Sequence, residues 1–302
     1  MGTPAIGASS ALAIDDSAVS QISDFDSGSF RYEFVSESLA RRQTHVETFG
    51  IRGTRSREAD RVRIARERIA GQLILYPTPV ELDQWLPRIL GGAEASDVFA
   101  LAESLPEFGM LIDRVTKRFL YTGCRVAKAV FSGASGQLIK LTLDLEGETE
   151  LLSGTSFPAT IPAIDGGQPY LFSDCTFSLA ADASATEARE FEITIDNRLD
   201  VDRYMNSVTR GQLVATDRLI TLKMIVPYTV DEVDLHAQAI AGAAGSLTLT
   251  NGSKSCQFAF GNLKSPAQSP NVAGHEEILL ALNLVAYKSG GVNELIVTND
   301  ST

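Results

Sequence analysis

The clearest pattern in the chain is an alternation of apolar and polar residues that changes to helical spacing, and it occurs twice. Residues 68–92 (RIAGQLILYPTPVELDQWLPRILGG) and 218–242 (RLITLKMIVPYTVDEVDLHAQAIAG) each begin with Arg, alternate up to Pro77 or Pro227, and continue to a Gly. Alternation over about 4 to 8 residues indicates a half-buried strand, and apolar residues three and four apart indicate an amphipathic helix. Each copy therefore predicts a strand, a turn and a helix.

Individual residues indicate where the predicted helices end and which faces of the elements are buried. Thr78 is the predicted N-cap of the first helix and Gly91 its C-terminal stop. The apolar face of that helix holds Leu82, Trp85, Leu86, Ile89 and Leu90, and that of the second helix holds Val233, Ala237 and Ile240. The buried strand faces are predicted to hold Ile69, Leu73 and Leu75 in the first copy, and Ile220, Leu222, Met224 and Val226 in the second.

The similarity extends beyond the two copies. Alternating segments precede them at residues 30–39 and 191–199, and further strands follow, with Leu141, Leu143 and Leu145 matching Leu280, Leu282 and Leu284. This predicts a mainly β chain built from two tandem domains, each with one flanking helix and a long projecting hairpin loop. The predicted boundaries are an N-terminal arm at 1–29 that only a neighbour would order, domains at 30–152 and 170–302, and a Pro- and Gly-rich linker at 153–169.

Two long polar connections interrupt the predicted strands. Residues 40–66 show no clear apolar period, and a loop longer than about 12 to 15 residues is usually functional or disordered. Because strands lie on both sides, the segment is predicted to form the tip of a long hairpin. Residues 200–217 occupy the corresponding place in the second copy.

Charge is distributed unevenly over the 302 residues. The net charge is −12, yet residues 52–68 contain seven Arg and three acidic residues, which leaves −16 for the rest of the chain. Most of the surface should therefore repel nucleic acid. The basic segment fits either a nucleic-acid contact or an interface with acidic patches on copies of the same chain. The absence of aromatic residues among its arginines favours the second interpretation.

The sequence contains no recognisable catalytic, metal-binding or targeting motif. The N-terminal sequence lacks the basic start of a signal peptide, and no apolar run approaches the ~20 residues of a membrane span. Cys124, Cys175 and Cys256 are widely separated, which predicts buried free thiols. His45, His236 and His275 lie outside any catalytic or metal motif, and the carboxylates from Asp196 to Asp202 lack the Gly and Glu of a calcium loop. We expect no catalytic residue, metal or cofactor.

Several segments together carry a resemblance to a known family. They are FVSESLARR, RGTRSREADRVR, GQLILYPTPVELDQWLPRILGG, FLYTGC, LTLDLEG, FSDCTFSL, ITIDNRL and ELIVTND. In these segments, which extend over nearly the whole chain beyond the N-terminal arm, the sequence resembles the major tail tube protein of long non-contractile-tailed bacteriophages.

The resemblance implies both architecture and partners. Tail tube domains are β-sandwiches or barrel-like folds with a flanking helix, and copies close into rings that stack into a hollow tube. Two fused domains imply rings of three chains with pseudo-sixfold symmetry. The implied partners are further copies of the chain, the tape measure protein, the tail terminator, and the baseplate or distal tail proteins. DNA would pass transiently through the lumen, no membrane would be involved, and assembly in the bacterial cytoplasm would place the protein in the virion tail.

Two groups of residues are expected to serve this role. A net acidic lumen should repel the DNA phosphates, and its candidate lining residues are Glu33, Glu37, Gln72, Glu192, Thr194, Asp196 and Lys223. The candidates for contacts between rings or subunits are Arg52, Arg55, Arg57, Arg61, Arg63, Asp200, Asp202, Arg203 and Arg210.

Other interpretations remain open at this point. A tail terminator, a baseplate hub or a decoration protein would share β-rich domains without catalytic motifs. A secreted adhesin is disfavoured by the missing signal peptide and the low aromatic content, and an enzyme would need a site of unfamiliar type.

Overall fold

The fold is mainly β, as the alternating pattern predicts, with helices packed against the sheets. The computed structural model describes residues 5–16, 19–51, 53–163, 167–180, 187–228, 232–266, 269–272 and 274–301, and the side chains of helix α2 from Leu235 onward. The strands up to residue 153 are β1 (Ala11–Asp15), β2 (Phe30–Tyr32), β3 (Ser36–Glu37), β4 (Ala40–Glu47), β5 (Val62–Leu75), β6 (Gly91–Ala95), β7 (Val98–Leu101), β8 (Phe108–Asp113), β9 (Arg118–Ala134), β10 (Lys140–Gly147) and β11 (Thr149–Ser153).

The remaining elements follow the predicted linker. The strands are β12 (Cys175–Leu179), β13 (Glu190–Asp196), β14 (Leu199–Asp200), β15 (Val214–Ala215), β16 (Leu219–Pro227), β17 (Ala243–Asn251), β18 (Lys254–Lys264), β19 (Leu279–Ala286) and β20 (Leu295–Asp300). The α-helices are α1 (Pro79–Leu90) and α2 (Glu232–Ala241), and short 3₁₀ turns lie at Gly7–Ser9, Ile22–Asp24, Ala59–Arg61 and Phe172–Asp174.

Helix α1 begins and ends where the sequence predicts. The Thr78 hydroxyl accepts the backbone N–H of Glu81 at 3.3 Å, and the Glu81 carboxylate accepts the backbone N–H of Thr78 at 3.1 Å. These bonds satisfy N–H groups that the first helical turn leaves free. Gly91 ends the helix with a φ of 88°, and Gly242 has the same φ just after α2. Only glycine adopts this left-handed conformation without strain.

The same arrangement of strands occurs in both halves of the chain. In the first half β1 pairs with β8, β8 with β9, and β9 with both β10 and β11, while β10 pairs with β5 and β5 with β3. The second half repeats these pairings. In order, β1, β8 and β9 correspond to β12, β17 and β18, and β10 and β11 correspond to β19 and β20. Strands β5 and β3 correspond to β16 and β13. Every one of these pairings is antiparallel.

The two halves are joined by strand pairing and by a shared core. Strand β9 pairs with β13 from Lys128↔Asp196 to Ala134↔Glu190, and β7 pairs with β20. One hydrophobic cluster runs through both halves, and within it the rings of Phe131 and Phe258 meet edge to face at 5.0 Å. A smaller cluster joins Val19, Ile22 and Phe25 to Ile161 in the predicted linker.

Strand β9 belongs to two sheets. Its first part pairs with β8 and β11, and its second part pairs with β10 and β13. Gly123, with a φ of 60°, lies near the change from one sheet to the other, where an added Cβ would clash with the Glu148 side chain. A glycine is therefore required at this bend.

The structure corrects two expectations about the N-terminal region. Residues 11–15, expected in an arm ordered by a neighbour, form strand β1, and Leu12, Ala13 and Ile14 are fully buried within the chain. The single strand expected from Phe30 is broken, because β2 pairs with β1 whereas β3 pairs with β5. Residues 33–35 are the crossing between these two pairings.

Candidate assembly surfaces

A polar sheet face extends across both halves of the chain. Its strands follow the order β5, β10, β9, β13, β16, β19, so that each half contributes three. One side of this sheet carries the buried apolar residues of the core, such as Leu143, Ile193 and Leu222. Because side chains alternate across a strand, the other side is available to solvent or to a ligand.

Charged residues on this face alternate in sign from strand to strand. Lys128 lies opposite Asp144 on one side and Asp196 on the other. Lys223 donates to Glu192 at 2.9 Å on neighbouring strands. Cross-strand pairs of opposite charge stabilise a sheet slightly and fix its side chains. Lys128, Lys140 and Lys223 share this face with Asp144, Glu190, Glu192 and Asp196. Arg68 contacts Glu146 at its end, which leaves a small acidic excess.

Of the seven residues predicted to line a lumen, five lie on this polar sheet face, namely Gln72, Glu192, Thr194, Asp196 and Lys223. Glu33 lies in the crossing between β2 and β3. Glu37 pairs opposite the buried Leu73, and its carboxylate contacts Arg114 at 2.8 Å. Neither glutamate lies on the polar face, because the predicted first strand breaks between them.

Further residues of the face were missing from the prediction. Lys140 and Asp144 follow the alternation of β10 and could have been found from the sequence. Lys128 could not, because the pairing of β9 with β13 joins distant segments and a bulge between Asp144 and Leu145 shifts the register of β9 against β10.

The expected long hairpin is present. Strand β4 pairs with β5 from Ala40↔Ala70 to Glu47↔Val62, and residues 48–61 connect the strands. The pairing of β5 with β10 ends at Ile69↔Gly147, and β5 begins at Val62, seven residues before Ile69. At about 3.3 Å per residue the hairpin projects roughly 20 Å from the sheet before the connection begins.

The hairpin is basic, but its end is also apolar. Phe49 is 83% exposed and Ile51 is fully exposed, with Val46, Val62 and Ile64 exposed nearby. Arg55, Arg57, Arg61 and Arg63 surround them and are exposed as well. Arg57 contacts Glu47 at 3.5 Å and Arg61 contacts Glu58 at 3.7 Å. Arg52 lies outside the described residues. We call this surface, residues 46–51 and 53–64, the hairpin tip.

The corresponding loop of the second half, residues 200–217, has fewer paired residues, and it contacts the base of the hairpin. Strand β14 pairs with β15 over two residues. Arg203 contacts Asp200 at 2.7 Å, Asp202 contacts Arg66 of the hairpin at 3.5 Å, and Val208 accepts the backbone N–H of Glu67 at 2.7 Å.

Arg210 has a different place from the one expected. Its side chain is buried, contacts Glu146 at 2.7 Å, and donates to the carbonyl oxygens of Gly147 and Ile69. It therefore joins the two halves of one chain and is not available to a second copy.

Two strand edges of the polar sheet are open. Strand β18 covers β19 only at Leu263↔Ala286 and Lys264↔Val285, whereas β9 covers the equivalent strand β10 along its length. Within the described part of the chain, no strand pairs with the rest of the outer edge of β19 or with the outer edges of β3 and β4. Open edges present unpaired N–H and C=O groups to another chain.

The thiols and the other candidate ligands are dispersed. Cys124 and Cys256 are buried, Cys175 is partly buried, and all three are free. Burial raises the pKa of the Cys124 thiol to about 12. Among the residues described here, no three His, Cys, Asp or Glu side chains could hold a metal ion together. Over the same residues, neither α-helix has the length and apolar character of a membrane span.

Comparison with known proteins identifies the family of the chain. A comparison with curated proteins found no match. A family model described as phage tail tube protein matches residues 50–286. This match covers more than half of the chain, from the hairpin tip to the last strand of the polar sheet, and it shows that the chain belongs to the phage tail tube protein family.

Proposed function

We propose that three copies of this structural tail tube protein close into a ring around the polar sheet face. The observation that carries the proposal is the pairing of β9 with β13, which joins three strands of each half into one sheet with an open edge at each end. The repeated strand arrangement supports two tandem tube domains, approximately 30–152 and 170–302, with β1 added to the first. Three chains then supply six equivalent three-strand groups around one axis, formed by β3, β5 and β10 or by β13, β16 and β19.

The junction between the halves indicates how neighbouring chains meet. Strand β13 occupies in the second half the position of β3 in the first, and its outer edge pairs with β9. The counterpart of β9 in the second half is β18, which covers only two residues of β19, so the open edges of β3 and β4 would receive the uncovered side of β19 from the next copy directly. Such a contact joins unlike surfaces of two copies. Repeated contacts of this kind close into a ring when the rotation from one copy to the next is a whole-number fraction of a full turn.

The polar face would line the channel for DNA. Lys128 and Lys223 each have a carboxylate on a neighbouring strand, so neither presents an isolated cation to a phosphate. The acidic excess of the face is small, and the larger repulsion comes from the −16 that the chain carries outside residues 52–68. This combination would keep DNA mobile and prevent it from binding.

Stacking of rings would use the hairpin tip. The tip extends from the end of the sheet at Ile69↔Gly147, whereas a cleft of about 650 Å³ containing Glu276, Glu277 and Leu280 lies near Leu279 at the opposite end. Arginines and apolar side chains at one end would thus face Glu276, the Glu277–Arg189 ion pair and apolar side chains at the other. Contacts between unlike ends do not close, and they extend a filament along its axis.

The remaining roles follow from this arrangement. We propose a non-enzymatic virion protein that assembles in the host cytoplasm and meets the tape measure protein inside the tube. The terminator and the baseplate or distal tail proteins would meet it at the two ends.

Electron microscopy with mass photometry tests the proposal. The purified chain, alone or with its tail partners, is expected to give hollow tubes, or rings with the mass of three 32.4 kDa chains and pseudo-sixfold projections. A chain that stays monomeric with every tail partner would refute it. Rings of six chains would retain the tube and reject the fused-domain arrangement.

A further inference from the structure

Strand β11 leaves one edge and two leucines exposed. It pairs with β9 along one edge, and no strand in the described part of the chain pairs with the other. Leu151 is 46% exposed and Leu152 is 60% exposed. Because successive side chains point to opposite faces of a strand, the two leucines flank the open edge on both sides. An open edge flanked by large apolar side chains is a surface that another chain can bind.

The equivalent strand of the second half is covered. Strand β20 has the position beside β18 that β11 has beside β9, and its outer edge pairs with β7, with Val297 opposite Phe99. Helix α1 adds a second contact, because the Asn299 side-chain amide donates to the Pro79 carbonyl at 2.8 Å and the Ser301 hydroxyl donates to Asp83. Val297 itself is completely buried in the core.

The covering elements come from the neighbouring half. Strand β7 and helix α1 belong to the half whose β9 pairs with β13, so the first half covers the outer edge of the second. In the ring proposed above, the unit that follows the second half is the first half of the next copy. Its uncovered edge is β11, and the counterpart of α1 is α2.

We therefore propose that helix α2 of one copy packs on Leu151 and Leu152 of the next copy. This inference rests on the proposed ring. The second half has no equivalent of the β6–β7 hairpin, since Gly242 leads directly from α2 into β17. The contact is thus made by side chains rather than by an added strand. Ala237 and Ala241 are exposed on α2 and are small enough to let the leucines approach closely.

Site-specific photo-cross-linking tests the contact directly. A benzoylphenylalanine replaces Leu152, and this chain is assembled with an equal amount of isotopically labelled protein, so that links between copies are distinguished by mass. We expect the cross-linked peptide to contain residues from Glu232–Ala241 of a second copy. The same photoprobe at Val292, which is similarly exposed on a turn, is the control and should not link to α2.

A substitution measures the contribution of the leucines. Leu151→Asp with Leu152→Asp should raise the concentration needed for ring formation about tenfold or more, because charges replace the apolar contact. Val292→Asp should leave it unchanged. Circular dichroism and the unfolding midpoint of the monomer show whether either variant still folds.

The possible outcomes distinguish a failure of this proposed contact from a failure of the proposed ring. Assembled rings or tubes that give the α2 cross-link support the inference. Assembled rings or tubes that link Leu152 to another segment, or to none, overturn it and leave the proposed function standing. If the unmodified chain fails to assemble with any tail partner, both the ring and the contact are rejected.

Discussion

The guanidinium of Arg210 lies 2.7 Å from the carboxylate of Glu146, and both side chains are buried. Arg210 comes from the loop between β14 and β15, and Glu146 from β10 of the first half. Arg68 contacts the same carboxylate from β5. A single glutamate thus holds the second half, the polar sheet and the base of the hairpin together.

Loss of Arg210 should therefore destabilise the whole chain. Arg210→Ala leaves the carboxylate of Glu146 and the carbonyls of Gly147 and Ile69 without this donor, and we expect a loss of about 3 to 5 kcal/mol in the free energy of unfolding. Urea denaturation followed by circular dichroism measures it. Arg203→Ala, which removes an exposed ion pair, is the control and should have little effect. Similar losses in the two variants would contradict the assigned role.

Asp83 should give the stability a pH dependence. Burial raises the pKa of this carboxyl above its ordinary 3.8, although hydrogen bonds from Ser301 and Asn299 oppose the shift. The folded state then binds the proton more tightly than the unfolded state. The contribution of Asp83 therefore grows as the pH falls through the folded pKa towards 3.8, and it decreases as the pH rises.

The Asp83→Asn variant isolates this contribution. The unfolding free energy of the unmodified chain minus that of the variant should be larger near pH 4 than at pH 7. Urea titrations at several pH values provide the comparison. A difference that stays constant, or that grows with pH, would show that the buried carboxyl does not titrate as argued.

Reversing one charge on the polar face should disturb it locally. Lys128→Glu places three carboxylates in register on β10, β9 and β13, and like charges directly opposite each other destabilise a sheet, here by up to about 1 kcal/mol. Thermal unfolding at low and high salt measures the loss, which salt should reduce. Lys128→Gln removes the charge without reversing it and should lie between the two. Equal stability of all three proteins would contradict the register.

The apolar end of the hairpin should affect assembly and leave folding unchanged. Phe49→Ser with Ile51→Ser removes side chains that have no core contacts in the single chain, so the unfolding midpoint should not change. If these side chains join rings, electron microscopy should show separate rings or short stacks in place of long tubes. Ile6→Ser, which alters another exposed apolar residue far from the hairpin in the chain, should preserve tube length. Long tubes from the hairpin variant would refute the stacking role.

Local signals in the sequence were enough for much of the fold. The change from alternation to helical spacing at Pro77, the N-cap Thr78 and the C-terminal Gly91 all concern neighbours in the chain, and helix α1 forms as predicted. The projecting hairpin was also foreseeable, because a polar segment lies between two predicted strands.

Distant pairings were not foreseeable. Nothing local shows that β9 pairs with β13 or that β7 pairs with β20, and these two contacts decide which residues share the polar face and which edges stay open. Arg210 was expected at a contact between copies because it lies in the long polar connection at residues 200–217, and only the approach of its loop to Gly147 and Glu146 buries it.

Strand β9 has a mechanical consequence. Because one unbroken segment from Arg118 to Ala134 runs through both sheets, a load on the outside of the subunit reaches its polar face through covalent bonds. In the proposed ring, such a subunit would resist changes of bore diameter. The hairpin, by contrast, leaves the body as two strands without side-chain packing around its tip. A tail built from these parts would flex between rings while each ring kept its bore.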